Sequence, residues 1–345
     1  MPTETTSLQD AFAEFCQTYL DRITTRATLT DGTFQAGLAR FTLHEQQPFV
    51  ADFAAKQFVP LGAAGPDDRV SQIHVIYEAL PQHPIVDLLD QIGFAAVQTL
   101  FADIGMSGFY HAERRHLEFY DPKRRIGLRV LPAPESSPVW ENSAPLANFV
   151  AWMNAAADGI MVHAATLANE VAGALICGPG GRGKSLLTLA GLAAGLETVG
   201  DDYVVVNHTA GRYRAWSCAR TAKQSPQGLA MLGAGGEVFR TGPLNWQNKH
   251  VFALPERRGG GAVPLDVIVV PTLAAGPTIT PARRGAVFRQ LTESTLYQLA
   301  LDRRLVAEFC GLLVRDLPVF DFAMGPDLAA NVACLDAFLT RQVAA

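Results

Sequence analysis

The residue types best suited to chemistry in this chain are the glycines, lysine and serine of LICGPGGRGKSLL, residues 175–187. Gly178, Gly183, Lys184 and Ser185 fit the pattern G-x-x-x-x-G-K-[ST] without a mismatch. At average residue frequencies a chain of this length would match by chance about 1% of the time. The flanks strengthen the match. VAGALIC, residues 171–177, reads as a short apolar strand, and SLLTLAGLAA, residues 185–194, as a helix that stops at Gly195. Strand, glycine loop and helix together make a phosphate cradle. The glycines let backbone N–H groups converge on one anion, and the helix N-terminus adds its partial positive charge. Lys184 supplies a full charge for the β and γ phosphates. The Ser185 hydroxyl is a hard oxygen ligand of the kind Mg²⁺ prefers. Gly178, Pro179, Gly180, Gly181, Arg182, Gly183, Lys184, Ser185 and Leu186 are therefore the expected nucleotide-binding segment.

A pair of carboxylates follows one helix later, in GLETVGDDYVVVN, residues 195–207. Asp201 and Asp202 lie between short apolar strands, where two adjacent acids are costly unless a cation is near. A magnesium nucleotide would be that cation. Neighbours in extended backbone point to opposite sides, so one carboxylate can face the metal and the other an incoming hydroxyl. Phosphoryl transfer needs that division of labour. His163, in the apolar run MVHAATL, reads on chemistry alone as a packed core histidine.

These residues need elements to position them. SLQDAFAEFCQTYLDRI, residues 7–23, has helical spacing with Ser7 as N-cap. FTL and FVADF, within 33–52, are short strand candidates, and Pro84 to Ile104 reads as one helix. HLEFYDPKRRIGLRVL, residues 116–131, reads as a hairpin turning at DPKR. Four prolines and three serines in 132–146 mark the expected linker between residues 1–140 and 141–345. LANFVAWMNAAA then reads as a helix, PLDVIVVPTL (264–273) as one buried strand, and ESTLYQLALDRRLVAEFCGLLVRDL (293–317) as a helix or helix pair. PVFDFAM is a strand, and a closing helix starts at Asp327. RRGGGAVP (257–264) is a loop candidate. The alternation predicts an α/β second domain behind a smaller α+β one. Trp140 and Trp152 read as packing residues, and His111, Arg114 and Arg115 as a solvated hairpin face.

The apolar fraction is 49% and the charged fraction 18%, ordinary for a globular protein. A net charge of −5 argues against a nucleic-acid binder. Cys16, Cys177, Cys218, Cys310 and Cys334 show no metal-like spacing, and the N-terminus has no leader pattern. No apolar run reaches membrane-spanning length. The expectation is a cytoplasmic protein without a membrane anchor.

Residues 161–206 resemble the HPr serine kinase/phosphorylase family. They resemble still more closely the HPr-kinase-like proteins found beside peptide-modification genes, including lasso-peptide kinases. The shared pattern is a His before the strand, a glycine loop ending in G-K-S, and an Asp-Asp pair after one helix. Fainter similarity extends through 119–146 and into RTAKQ and NKHVFAL, where Lys223 and Lys249 match basic positions. The later Arg-Gly-x-Gly signature of HPr kinase proper has only a superficial echo in ERRGGGAV, and no role is carried onto it. The resemblance implies a mixed-sheet P-loop kinase core of the phosphoenolpyruvate carboxykinase-like fold. It implies Asp201 as the base, Asp202 and Ser185 at the metal, and His163 near the reacting phosphate, with Lys184 on the phosphates.

The expected activity is transfer of the γ-phosphoryl group of ATP, with Mg²⁺, to a serine of a peptide or small protein. A small metabolite acceptor stays open, as does GTP or pyrophosphate as donor. A P-loop NTPase and a non-catalytic nucleotide-binding module are the alternatives. Relatives of this family assemble into oligomers, so a homo-oligomer stays open.

Overall fold

A computed structural model describes residues 7–23, 29–61, 69–141, 143–233, 244–254 and 261–342. The first helix, α1 (Leu8–Ile23), starts as its sequence predicts: Ser7 Oγ accepts the Asp10 N–H at 3.1 Å. Seven strands follow: β1 (Leu29–Ala36), β2 (Ala39–Glu45), β3 (Val59–Leu61), β4 (Val70–Tyr77), β5 (Ser107–His111), β6 (His116–Asp121) and β7 (Ile126–Leu131). They form one sheet in the order β3-β1-β2-β4-β7-β6-β5. The expected hairpin is β6–β7; Asp121 Oδ1 accepts the N–H groups of Lys123 and Arg124 and tightens its turn.

Two local expectations are corrected. FVADF belongs to a helix, α2 (Val50–Gln57), because the buried Glu45 carboxylate accepts the N–H groups of Phe49, Val50 and Ala51. An anion on the first free N–H groups of a helix outweighs a short alternating pattern. The run from Pro84 is two helices, α3 (Pro84–Gln91) and α4 (Phe94–Asp103), because the backbone is extended at Ile92 and Gly93.

The proline- and serine-rich segment 132–146 is tied down. Arg129, 1% exposed on β7, donates to Glu118 of β6 at 2.7 Å and to Glu141 of this segment at 2.9 Å. Helix α5 (Ala147–Ala155) follows and buries Trp152, while Trp140 is half-exposed. Asn154 of α5 donates to Ala36 O and accepts the Leu38 N–H, and one hydrophobic cluster runs from Phe34 and Phe41 through Phe149 to Val204 and Val205.

The remaining strands form three mixed or antiparallel sheets. β8 (Gly159–Val162), β11 (Val204–Thr209), β12 (Arg212–Ser217) and β15 (Ala262–Leu265) make one, in the order β15-β12-β11-β8. β9 (Ala165–Ala168), β10 (Gly173–Ile176), β16 (Val267–Leu273), β17 (Thr278–Pro281) and β18 (Val319–Met324) make the second, in the order β17-β18-β16-β10-β9. Parallel pairs β10–β16 and β16–β18 sit inside antiparallel edges, so the architecture is mixed α/β. β13 (Thr221–Gln224) and β14 (His250–Ala253) pair separately, with α7 (Pro226–Met231) between them in sequence. The helix of the glycine loop is α6 (Lys184–Ala193).

The single strand expected at 264–273 is two. β15 ends and β16 begins across Asp266, whose carboxylate accepts the Gly173 N–H at 2.9 Å, and the chain changes sheets there. The helix or helix pair expected over 293–317 is a pair, α8 (Arg284–Gln298) and α9 (Arg303–Asp316); Asp302 caps the second. The closing helix α10 (Leu328–Gln342) has Asp327 accepting the Ala330 N–H, as its sequence predicts. The RRGGGAVP loop lies outside the described residues up to position 260, as does the first part of ERRGGGAV.

Candidate functional site

The site forms where the chain crosses between the two larger sheets of the C-terminal half. His163 and Ala164 carry it from β8 to β9, and Gly200 to Tyr203 carry it back to β11. Backbone between two sheets has N–H and carbonyl groups that neither ladder uses, and its side chains are free to converge.

β10 ends at Ile176, and the glycine loop turns into α6. Gly183 is left-handed, with φ of 88°, and a Cβ there would lie 2.6 Å from Met324 Cε. A side chain at this position would be strained by the backbone even if the Met324 methyl swung aside, so glycine suits the step into the helix. Pro179, Gly180, Gly181 and Arg182 form an exposed rim, while Lys184 is 7% exposed. Its ammonium donates to Gly178 O at 2.7 Å and Pro179 O at 3.3 Å. Carbonyls of the loop thus hold the charge that a phosphate would otherwise neutralise. Burial pulls the Lys184 pKa down; Asp202 and Asp201 are near enough to pull the other way, and Lys249 adds repulsion. Leu186 lies half-buried in the first turn of α6.

The two acids are held by a hydroxyl lattice behind them. Thr166 of β9 donates its N–H to Gly200 O at 3.0 Å, and its hydroxyl lies 3.0 Å from that of Thr198. A Cβ on Gly200 would sit 2.5 Å from Tyr203 O, so the tight turn that presents the acids has no room for a side chain. Asp201 is 1% exposed. Its Oδ2 accepts the Lys223 N–H at 3.3 Å, and Oδ1 is buried without a partner, while the Ser185 hydroxyl is near enough to favour the ionised form. Burial, and then the neighbouring Asp202 charge, push its pKa up to about 7.

Asp202 has the opposite surroundings. Lys223 Nζ lies 2.5 Å from its Oδ2 and His163 Nε2 lies 3.4 Å from its Oδ1, and 28% of the side chain remains exposed. Burial alone would raise its pKa, but His163 and Lys223 hold it far below the ordinary carboxylate range. The two acids therefore sit in different environments. Asp201 is the one against Ser185, and Asp202 the one with His163 and Lys223.

Helix α8 closes the back of this arrangement. A Cβ on Gly178 would lie 3.9 Å from Gln290 Oε1, an oxygen buried without a partner. Thr295 Oγ1 accepts the His163 N–H at 3.1 Å, and Gln298 Nε2 lies 3.2 Å from each ring nitrogen of His163. Gln290, Thr295 and Gln298 lie more than 100 positions after Gly178 and His163 in sequence and belong to no motif, so no sequence signal marks them. Of the other candidates, Lys223 reaches the acids from β13 and Lys249 stands near Lys184. Arg115 pairs with Asp90 on the β5 side of the first sheet.

The donor set suits a hard divalent ion with a nucleotide. Ser185 and Asp201 offer oxygen ligands, including the orphaned Oδ1, and Mg²⁺ ordinarily takes one or two protein oxygens and completes its shell with water and phosphate. Among the described residues no group of three or more His, Cys, Asp or Glu side chains could hold a metal alone. All five cysteines are unpaired, and no described helix is long and apolar enough to cross a membrane.

No family model matches the chain, and no curated protein matches it. Among solved structures it is similar to the Hpr(Ser) kinase/phosphatase from Coxiella burnetii, at 13% identity and a TM-score of 0.28. The match covers 52% of this chain and 95% of that one.

Proposed function

We propose that this chain is an ATP- and Mg²⁺-dependent kinase that phosphorylates a hydroxyl, most simply a serine of a peptide or small protein. The observation that carries the reading is the meeting of Lys184 and Ser185, from a phosphate loop, with two acids in contrasting surroundings. A simple nucleotide-binding module needs the loop; it has no need of a second, cation-oriented carboxylate.

In this reading Lys184 exchanges the loop carbonyls for the β and γ phosphates. Ser185 and Asp201 hold the metal side. Mg²⁺ bound there with the nucleotide supplies positive charge against the phosphate oxygens. Asp202 faces the acceptor, because it is the acid that solvent reaches, and it takes the hydroxyl proton during in-line transfer. His163 and Lys223 keep it ionised and oriented. This interchanges the roles that the family resemblance implies for the two acids, because Asp202 is 28% exposed and Asp201 is buried on the Ser185 side. Residues 1–140 are proposed to select the acceptor or to mediate assembly of the chain with itself, in the cytoplasm.

The test is a phosphotransfer assay with γ-labelled ATP against the products of neighbouring genes, run beside ATP consumption without acceptor. Label on a serine, lost in Lys184→Ala, supports the kinase. Fast hydrolysis indifferent to every acceptor would make it an NTPase, and tight binding with no turnover a regulatory module.

A further inference from the structure

We propose that Lys249 is a phosphate-binding residue, which takes the terminal phosphate of a nucleoside triphosphate from the β13–β14 side of the site. The inference deepens the kinase reading and rests on it for where the nucleotide lies.

Lys249 directly precedes β14, and its backbone is already extended and fixed. Asn245, 7% exposed, accepts the Lys249 N–H on Oδ1 at 3.0 Å, and its own N–H donates to Lys249 O at 2.8 Å. The N–H and carbonyl of Lys249 thus point to one side, as they do in a strand, and the alternation of β14 continues through it. β13 and β14 pair Lys223 with Val251. Two positions from Val251, Lys249 lies on the same face of the ribbon as Lys223 and diagonal to it. Such diagonal neighbours are about 7–8 Å apart, within reach of long side chains. The other face is apolar: Ala222 and Phe252 pack with Leu189 of α6. Lys223 shows where the polar face looks, because its Nζ is 2.5 Å from Asp202 Oδ2.

The two lysines differ in their partners. Lys223 has its acid, whereas half-buried Lys249 pairs with no anion among the described residues. Lys184 is near enough to Lys249 for their charges to repel, and its own ammonium is met by loop carbonyls. An anion lodged between the two ammonium groups removes the repulsion and accepts a charged hydrogen bond from each. Lys184 belongs to the loop that cradles the phosphates, and Lys223 marks the side on which the acceptor acid stands. Lys249, on the Lys223 face, therefore meets the end of the phosphate chain that is transferred and not the part held inside the loop.

The experiment compares ATP with ADP, which lacks only that terminal group. Binding of each, with Mg²⁺, to the full chain is measured by titration calorimetry for wild type and Lys249→Met. The variant is expected to bind ATP about 10- to 100-fold more weakly, the scale of one charged hydrogen bond, and ADP less than about 3-fold more weakly. Lys249→Gln should give the same pattern and serves if Lys249→Met does not fold. Equal losses for ATP and ADP, an unchanged ATP affinity, or an effect confined to KM for the acceptor overturns the inference. The kinase reading fails separately. A chain that binds ATP and phosphorylates no acceptor counts against that reading and leaves the ATP–ADP comparison to decide the role of Lys249. A chain that binds neither nucleotide overturns both.

Discussion

Asp201→Asn should make the nucleotide-free protein more stable while removing its activity. The Asp201 carboxyl is 1% exposed, has one oxygen without a partner, and titrates at about 7 instead of 3.8. At about 1.4 kcal/mol per pH unit, that displacement costs the folded state about 4 kcal/mol once the group is ionised. Asparagine has the same shape and no charge. Its amide hydrogens meet the same incomplete set of partners, which returns about 1–3 kcal/mol of that gain. The net gain is about 1–3 kcal/mol near pH 8. The sign with pH follows from linkage. Below about 3.8 both folded and unfolded chains are protonated at this group, and the penalty vanishes. Between 3.8 and about 7 the folded chain keeps a proton that the unfolded chain has lost, so wild-type stability falls as pH rises. The advantage of the variant should therefore shrink by about 2–3 kcal/mol between pH 8 and pH 5. With 345 residues and an unfolding entropy of about 2 cal/mol/K per residue, each kcal/mol moves Tm by roughly 1–2 °C. Calorimetry in EDTA at the two pH values measures it. Magnesium nucleotide should then raise the Tm of wild type and leave that of the variant nearly unmoved. A variant less stable than wild type near pH 8, or a difference that ignores pH, would refute the reasoning.

Three further outcomes are expected. Asp202→Asn should lower phosphoryl transfer by at least about 100-fold with nucleotide affinity kept, whereas Asp201→Asn and Lys184→Ala should weaken magnesium-nucleotide binding itself. Titration calorimetry beside the transfer assay separates them, and the reverse pattern would restore Asp201 as the base. Gly183→Ala should cost about 1–2 kcal/mol from its left-handed backbone, and the same amount when Met324→Leu removes the methyl it would meet, as read by denaturant unfolding against Met324→Leu alone. Arg129→Met should cost about 3–5 kcal/mol, since it strands the buried carboxylates of Glu118 and Glu141. Burial works against ionised Glu118, yet Arg129 and His116 bring its pKa down to about 2. The stability it lends wild type is thus full above about 4.5 and lost as pH falls toward 2, and acid titration of the variant should lack that limb.

What could be read along the chain is what neighbours in sequence decide. The glycine loop and its helix, the Ser7 and Asp327 caps and the β6–β7 hairpin rest on residues within a few positions of each other. Patterns fail where a distant group takes over a local segment. Glu45 turns FVADF into a helix, and Asp266 splits one apolar run between two sheets.

The candidate site divides along the same line. Lys184, Ser185 and the acid pair are local facts of spacing, and they can be named before any fold is known. Which acid is buried and which is claimed by Lys223 and His163 depends on where β13 and the β8–β9 crossing come to lie. Gln298 enters only because α8 packs its last turn against His163. Spacing carries the kinds of group available, because covalent connection limits how far they can be apart. The partner of each charge, and so its protonation and its role, is set by burial and by side chains brought from elsewhere, and that information exists only in the folded chain.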